Sequence, residues 1–302
     1  MSSLYRLLSI LALVLLAGCS RTELLYDNAD WLAERWASDL MDASDAQQDS
    51  WREMFRLAMD EHRRELLPAV INLLRAMEAS SAKGLSADEL TCWIEAADRA
   101  YRAHAEWAVP RAAAVLLDIS PQQADHLAAE LEKRNQAYRE DYLDEDPARR
   151  ERDRIERYIE RTERWTGELS TGQLRLVEKA VGDMPEVAGD WLEYRAQQQQ
   201  RLLALLRQGA DEQTLRRFLV DWWVDFDDLP VGLEHKIEQV RHASVGLVLA
   251  LDETLTDEQR AGFLEKVRDM REDLEAVPGN VERRQLAWQD LSPCTSGGSQ
   301  LN

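Results

Sequence analysis

The side chains with the strongest chemistry in this sequence are five histidines and three cysteines, set among 57 acidic residues. The histidines, His62, His104, His126, His235 and His242, are far apart in sequence, and no two have the HExxH spacing that places two zinc ligands on one helical face. Glu238 and His242 stand one helical turn apart, a spacing ordinary in so charged a chain. No metal and no cofactor is expected. His62 is of most interest: flanked by Glu61 and Glu65 just ahead of Pro68, it is either a structural hydrogen-bonding group or, with an acid, a general base. One reading is therefore an envelope enzyme acting on cell-wall or lipid material with an acid–histidine site near His62. Against it, the chain has no Gly-x-Ser-x-Gly elbow, no Walker-type glycine loop and no dinucleotide fingerprint. The acidic group Asp221, Asp225, Asp227 and Asp228 fails as a calcium loop, since Pro230 stands where glycine is needed.

Cys19 has a different setting. After Arg6 an apolar run extends from Leu7 to Ala17, long enough for a secretory signal and too short to span a bilayer. The run ends Leu16-Ala17-Gly18-Cys19, which resembles the lipobox of bacterial lipoproteins. That resemblance implies a signal peptide over residues 1–18, a diacylglycerol on the Cys19 thiol and a lipidated tether over 19–26. Ser20 is unlike the aspartate that holds some lipoproteins at the inner membrane, so the expected location is the periplasmic face of the outer membrane. Cys92 and Cys294 would then stand where disulfides are permitted, either bridged to one another or as two thiols.

The elements that position these residues read as helices throughout. Apolar residues recur at helical spacing in Leu32, Trp36 and Leu40, in Trp51, Met54, Phe55 and Ala58, in Leu215, Phe218, Leu219 and Trp222, and in Phe263, Val267, Met270 and Leu274. No convincing alternating strand occurs. Breaks at Pro68, Gly84, Pro110, Pro147, Gly167, Gly182–Pro185, Gly209, Pro230 and Pro278 divide the chain into about ten helices. The expectation is an all-α fold, a multi-helix bundle or an extended helical array, with an N-terminal lobe over 27–167, a C-terminal lobe over 168–291 and a disordered tail over 292–302. The chain carries 37 basic against 57 acidic residues, a net charge of −20 that opposes nucleic acid phosphates. From Arg139 to Arg164 both signs are dense, and Asp153 with Arg157 and Glu160 with Arg164 have the favourable acid-first order for pairing along a helix.

Helix starts repeat one signature, a hydroxyl followed three residues later by an amide: Ser44 and Gln47, Ser120 and Gln123, Ser170 and Gln173, Thr256 and Gln259, with Ser86 and Glu89 as the acidic version. These are capping boxes, in which the hydroxyl and the amide each satisfy a backbone N–H that has no partner inside the helix. Leu255-Thr256-Asp257-Glu258-Gln259 resembles the LTxxQ motif of small periplasmic stress chaperones of the Spy and CpxP type, which are all-helical and shield unfolded clients. A larger resemblance, carried by Leu25 to Trp31 with Trp36, by His62 to Pro68 and by Trp165 to Gln173, is to a family of uncharacterised proteobacterial lipoproteins that share a domain of unknown function. It implies the anchor and the helices and supplies no activity.

Ten tryptophans are the remaining signal. Trp36 and Trp222 fall on apolar stripes, where they would be core, whereas Trp31 and Trp223 fall to the side, where an amphipathic ring can anchor a partner. The favoured reading is a non-enzymatic, lipid-anchored protein that binds other envelope polypeptides as a chaperone-like or scaffolding surface. Trp31, Trp223 and His62 are the candidate contact residues, and the membrane is reached through the lipid on Cys19.

Overall fold

The computed structural model describes residues 26, 28–143 and 145–277. Among them lie eleven helices and no strand: α1 (Ala29–Met41), α2 (Asp45–Glu65), α3 (Leu67–Ser81), α4 (Ala87–Leu117), α5 (Pro121–Tyr142), α6 (Pro147–Thr166), α7 (Thr171–Gly182), α8 (Ala188–Arg207), α9 (Glu212–Trp223), α10 (Val231–Asp252) and α11 (Asp257–Ala276). The protein is all-α. None of these helices is long and apolar enough to cross a membrane. The signal-like run, Cys19, Cys294 and the tail fall outside the described residues.

Local chemistry sets the helix boundaries. Five starts carry a complete capping box, at Ser44, Ser86, Ser120, Ser170 and Thr256. Two others use an aspartate: the Asp146 carboxylate accepts from Ala148 N–H at 3.0 Å and that of Asp211 from Thr214 N–H at 2.8 Å. α6 stops at Gly167, whose φ of +82° lies in the region where a side chain would be strained. One expected break does not occur: α4 runs unbroken through Pro110 for 31 residues. A proline removes a single helical hydrogen bond, and here Ala105, Val109 and Ala113 are buried on both sides of it, so packing holds the helix together.

Three apolar clusters form the core. The largest joins Ala37 and Leu40 of α1, Trp51 of α2, Val109 and Leu116 of α4 and Leu127 of α5 to Leu202 of α8 and Leu215, Phe218 and Leu219 of α9. A second packs Leu67, Ile71 and Leu74 of α3 against Val267, Met270 and Leu274 of α11, with Tyr26 and Val277. A third gathers Leu169, Val177 and Val181 with Leu247 and Leu251 of α10. The first two clusters each draw on both sides of the 167/168 boundary expected between lobes. The reason is that α9 packs on α4, α8 on α5 and α11 on α3.

α6 has no fully buried residue; Ile155, Tyr158 and Ile159 pack half-buried against the third cluster, and its cations add polar contacts to that packing. The Arg154 guanidinium donates to the carbonyls of Val181, Met184 and Pro185 at 2.9, 3.1 and 3.3 Å, tying α6 to the last turn of α7 and the turn that follows it. Asp153 pairs with Arg149 at 3.8 Å, not with Arg157, whose guanidinium lies 4.7 Å from the ring centroid of Tyr142. An aromatic face on the neighbouring α5 offers Arg157 a cation–π contact that sequence spacing alone does not reveal.

Candidate functional site

The four glutamine boxes are not independent caps. They meet in pairs across the fold, each pair closed by a reciprocal amide–amide contact. Gln173 Nε2–H donates to Gln259 Oε1 at 2.8 Å, and Gln259 Nε2–H donates back to Gln173 Oε1 at 3.0 Å. The second N–H of each amide reaches a carbonyl beside the opposite box, Thr254 O at 3.0 Å and Glu168 O at 2.8 Å. Each amide oxygen also accepts from its own cap residue, Ser170 N–H at 2.9 Å and Thr256 N–H at 3.0 Å. Gln47 and Gln123 repeat this: Gln123 Nε2–H donates to Gln47 Oε1 at 2.7 Å and Gln47 Nε2–H returns to Gln123 Oε1 at 3.3 Å, while their second donors reach Asp118 O at 2.6 Å and Asp42 O at 3.1 Å. Each glutamine thus uses both donors and both acceptor positions, which a carboxylate, having no donor, does not. Glu89 makes the local cap with Ser86, and those hydrogen bonds hold its carboxyl below the usual carboxylate range.

His62 is buried, 7% exposed, which corrects its expected role as a partner contact. Nor does it form the acid–histidine pair: its Nδ1 meets the hydroxyl of Tyr26, while Glu61 is taken by Arg111 and Glu65 faces solvent. Successive residues leave a helix about 100° apart, so an acid next in sequence to His62 leaves α2 on a different bearing from the ring. Around that ring lie His104 at 5.0 Å and Trp107 at 5.2 Å between centroids, with Arg63 over Tyr26. Burial, then the neighbouring His104 and Arg63, pushes the His62 imidazole down to about 3, so it is neutral at physiological pH. Burial lowers His104 as well; its Nδ1–H donates to Ala100 O at 2.6 Å, and its Nε2 and the Trp107 Nε1–H are buried without a hydrogen-bond partner. Burial raises the Tyr26 hydroxyl. The cluster is a structural seat for Tyr26.

A second buried polar group, which sequence reasoning missed, lies between α5 and α8. The Arg195 guanidinium, 5% exposed, donates to Asn135 Oδ1 at 2.8 Å and lies 4.7 Å from the ring centroid of Tyr138; Asn135 in turn donates to Gln199 Oε1 at 2.7 Å. Burial lowers the Arg195 pKa. An aromatic face partly replaces the carboxylate that a buried cation ordinarily requires. Among the described residues no three histidine, cysteine or acidic side chains converge on a metal position. Cys92 of α4 is disulfide-bonded, and the two other cysteines of the chain lie outside the described residues.

The tryptophans divide differently from expectation. Trp31 is exposed, but so is Trp36, which its stripe had placed in the core. Trp36 lies at the edge of the buried face of α1, where Arg134 of α5 covers it with a guanidinium in place of an apolar residue. Trp31 borders a cleft of about 280 Å³ between α1, α2 and α5, where the buried Glu34 accepts from Ser38 Oγ–H at 2.8 Å and from Arg52 at 3.3 Å. Trp223 is half-buried beside Trp222, and its carbonyl accepts from the Tyr101 hydroxyl at 2.7 Å.

The class these features define is an all-α body whose helix starts are tied together in pairs by glutamine amides. Residues 39–224 match a family of unknown function, DUF6279, and the chain belongs to that family. No curated protein and no solved structure matches it.

Proposed function

We propose that the protein is a lipid-anchored component of the bacterial envelope, tethered through Cys19 to the periplasmic face of the outer membrane, and that its body binds other envelope polypeptides without catalysing a reaction. The lipobox-like Leu16-Ala17-Gly18-Cys19 supports the tether, and the likeness of the Thr256–Gln259 box to LTxxQ chaperones supports polypeptide binding.

The observation that carries the binding reading is the corner between α9 and α10. Val231 there, at the start of α10, is 81% exposed, and the segment that leads to it from the half-buried Trp222 and Trp223 carries the exposed Asp225, Asp227 and Asp228. The corner is rigid. Phe226 and Asp228 are non-glycine residues held at φ of +55° and +63°, a conformation that costs about 1–3 kcal/mol each and persists only when surroundings impose it. Those surroundings are the stacking of Phe226 on Tyr101, the hydrogen bond from the Tyr194 hydroxyl to Asp227 O at 3.3 Å and the Asp225–Arg102 ion pair at 2.8 Å. Asp225 and Asp228 are engaged by Arg102 and Arg201, so an apolar tip beside the exposed Asp227 suits an extended segment bearing apolar side chains and a basic one, and the net charge of −20 keeps complexes dispersed.

A photo-crosslinking residue placed at Val231 in cells tests this. Discrete adducts with envelope polypeptides are expected, and they should weaken when Asp227 is replaced by asparagine. If Val231 captures nothing beyond what the same probe captures at the exposed Glu140, the corner is not a polypeptide contact.

A further inference from the structure

α1 is the first of the described helices, and its outer face does not suit water. Trp31, Leu32 and Trp36 are 51%, 39% and 38% exposed, three of the seven large apolar side chains left exposed among the described residues. At 100° per residue they share one side of the helix with Arg35 and Asp39. Those two charges pair with each other at 3.2 Å and the Arg134 guanidinium lies 5.4 Å from the Trp36 ring centroid, so these groups bring no net negative charge to this face on a chain of net charge −20. The opposite side of α1, through Ala37, Leu40 and Met41, is fixed in the main core, so the tryptophans stand on a rigid support.

The position of the tether adds a constraint. Tyr26, 5% exposed, is seated against α3 and α11 with its hydroxyl on His62, so the chain is pinned seven residues after Cys19. Seven extended residues reach at most about 25 Å. A bilayer holding Cys19 therefore lies within that distance of Tyr26, and α1 begins three residues further on, at Ala29.

We propose that the outer face of α1, formed by Trp31, Leu32 and Trp36, lies on the membrane surface to which Cys19 is attached, with its indole rings at the headgroup level of zwitterionic lipid. This rests on the tether reading. Indole is suited to that level because its body is apolar and its N–H finds acceptors among headgroups. The lipid is zwitterionic because the body's negative charge repels anionic headgroups while these groups on the α1 face bring no net negative charge. The outcome is a body held in one orientation on the bilayer, leaving its other faces to polypeptide partners.

The test uses the chain from residue 19 onward, coupled through Cys19 to a maleimide lipid in phosphatidylcholine vesicles, with lipids brominated near the headgroup as quenchers of tryptophan fluorescence. Quenching is expected, and it should disappear in the Trp31→Phe/Trp36→Phe variant while persisting in Trp222→Phe/Trp223→Phe, with circular dichroism showing the helices intact in both. Absence of quenching overturns the proposal, as does quenching that survives in the α1 variant or that appears only when anionic lipid is added. If α1 is instead covered by a second copy of the chain, sedimentation shows a dimer that the α1 variant abolishes, and the proposal falls. Because the coupling places the tether whether or not cells acylate Cys19, mass spectrometry of the native protein decides the anchor separately.

Discussion

Replacing Gln259 by glutamate probes whether the paired boxes hold the fold together or merely cap helices. The substitution preserves size and preserves the acceptor for Thr256 N–H, so the local capping box survives. What changes is Nε2, which donates to Glu168 O at 2.8 Å and to Gln173 Oε1 at 3.0 Å. In the variant a carboxylate oxygen faces both of those acceptors, at a position where Gln259 is 9% and Gln173 is 1% exposed. Glu168 O loses its side-chain donor and Gln173 Oε1, which keeps Ser170 N–H, comes to face a carboxylate, so Gln259→Glu should lose about 1–3 kcal/mol at neutral pH. Urea unfolding followed by far-ultraviolet circular dichroism gives the number, and an unchanged denaturant slope shows that the unfolded state is not responsible. Lowering the pH should narrow the gap to the parent protein, because protonation returns a donor to the oxygen. Glu89→Gln is the control: its box makes no cross-pair and its substitution should change stability by less than about 1 kcal/mol. A Gln259→Glu loss no greater than that of Glu89→Gln would refute the claim that amide pairing carries tertiary stability.

Other consequences follow from the same structure. The folded protein holds His62 neutral down to about pH 3, whereas an unfolded imidazole titrates near 6.5, so its contribution is complete above about pH 6.5 and is lost as pH falls toward 3. Between about pH 7.5 and about pH 5 that loss amounts to roughly 2 kcal/mol of stability in the parent and should be absent from His62→Phe measured alongside; equal pH slopes in the two proteins would mean His62 titrates freely when folded. Arg154→Ala removes a guanidinium donor from the carbonyls of Val181, Met184 and Pro185 and should cost about 1–3 kcal/mol, seen in hydrogen exchange as faster opening of residues near Val181 than near Val109. Leu219→Ala at the centre of the largest core, where the side chain is fully buried, should cost about 2–5 kcal/mol by thermal or urea unfolding.

Much of the helical framework was legible in the chain because its determinants are local. A cap involves residues three apart, and the boxes at Ser44, Ser86, Ser120, Ser170 and Thr256 each begin a helix. Pro110 misled because a breaker competes with burial, and the alanine and valine residues around it are packed from several directions. The candidate sites were less legible. His62 stands out in the sequence through the His62–Pro68 segment with acids on either side, yet the group that meets its ring is Tyr26, 36 residues away. The buried Arg195 had no signal at all, since an arginine on a charged helix looks the same whether it faces water or a tyrosine ring.

From residues alone came the helical class, the helix starts, the acidic surface and the lipobox-like cysteine, because each depends on composition or on neighbours within a turn or two. Tertiary structure alone decided that glutamines 76 and 86 residues apart clasp one another, that Trp36 faces outward and that Tyr26 is seated on a neutral histidine. Periodicity states which face of a helix is apolar, but only the neighbouring helices determine how much of that face they cover and which polar groups they bring against it.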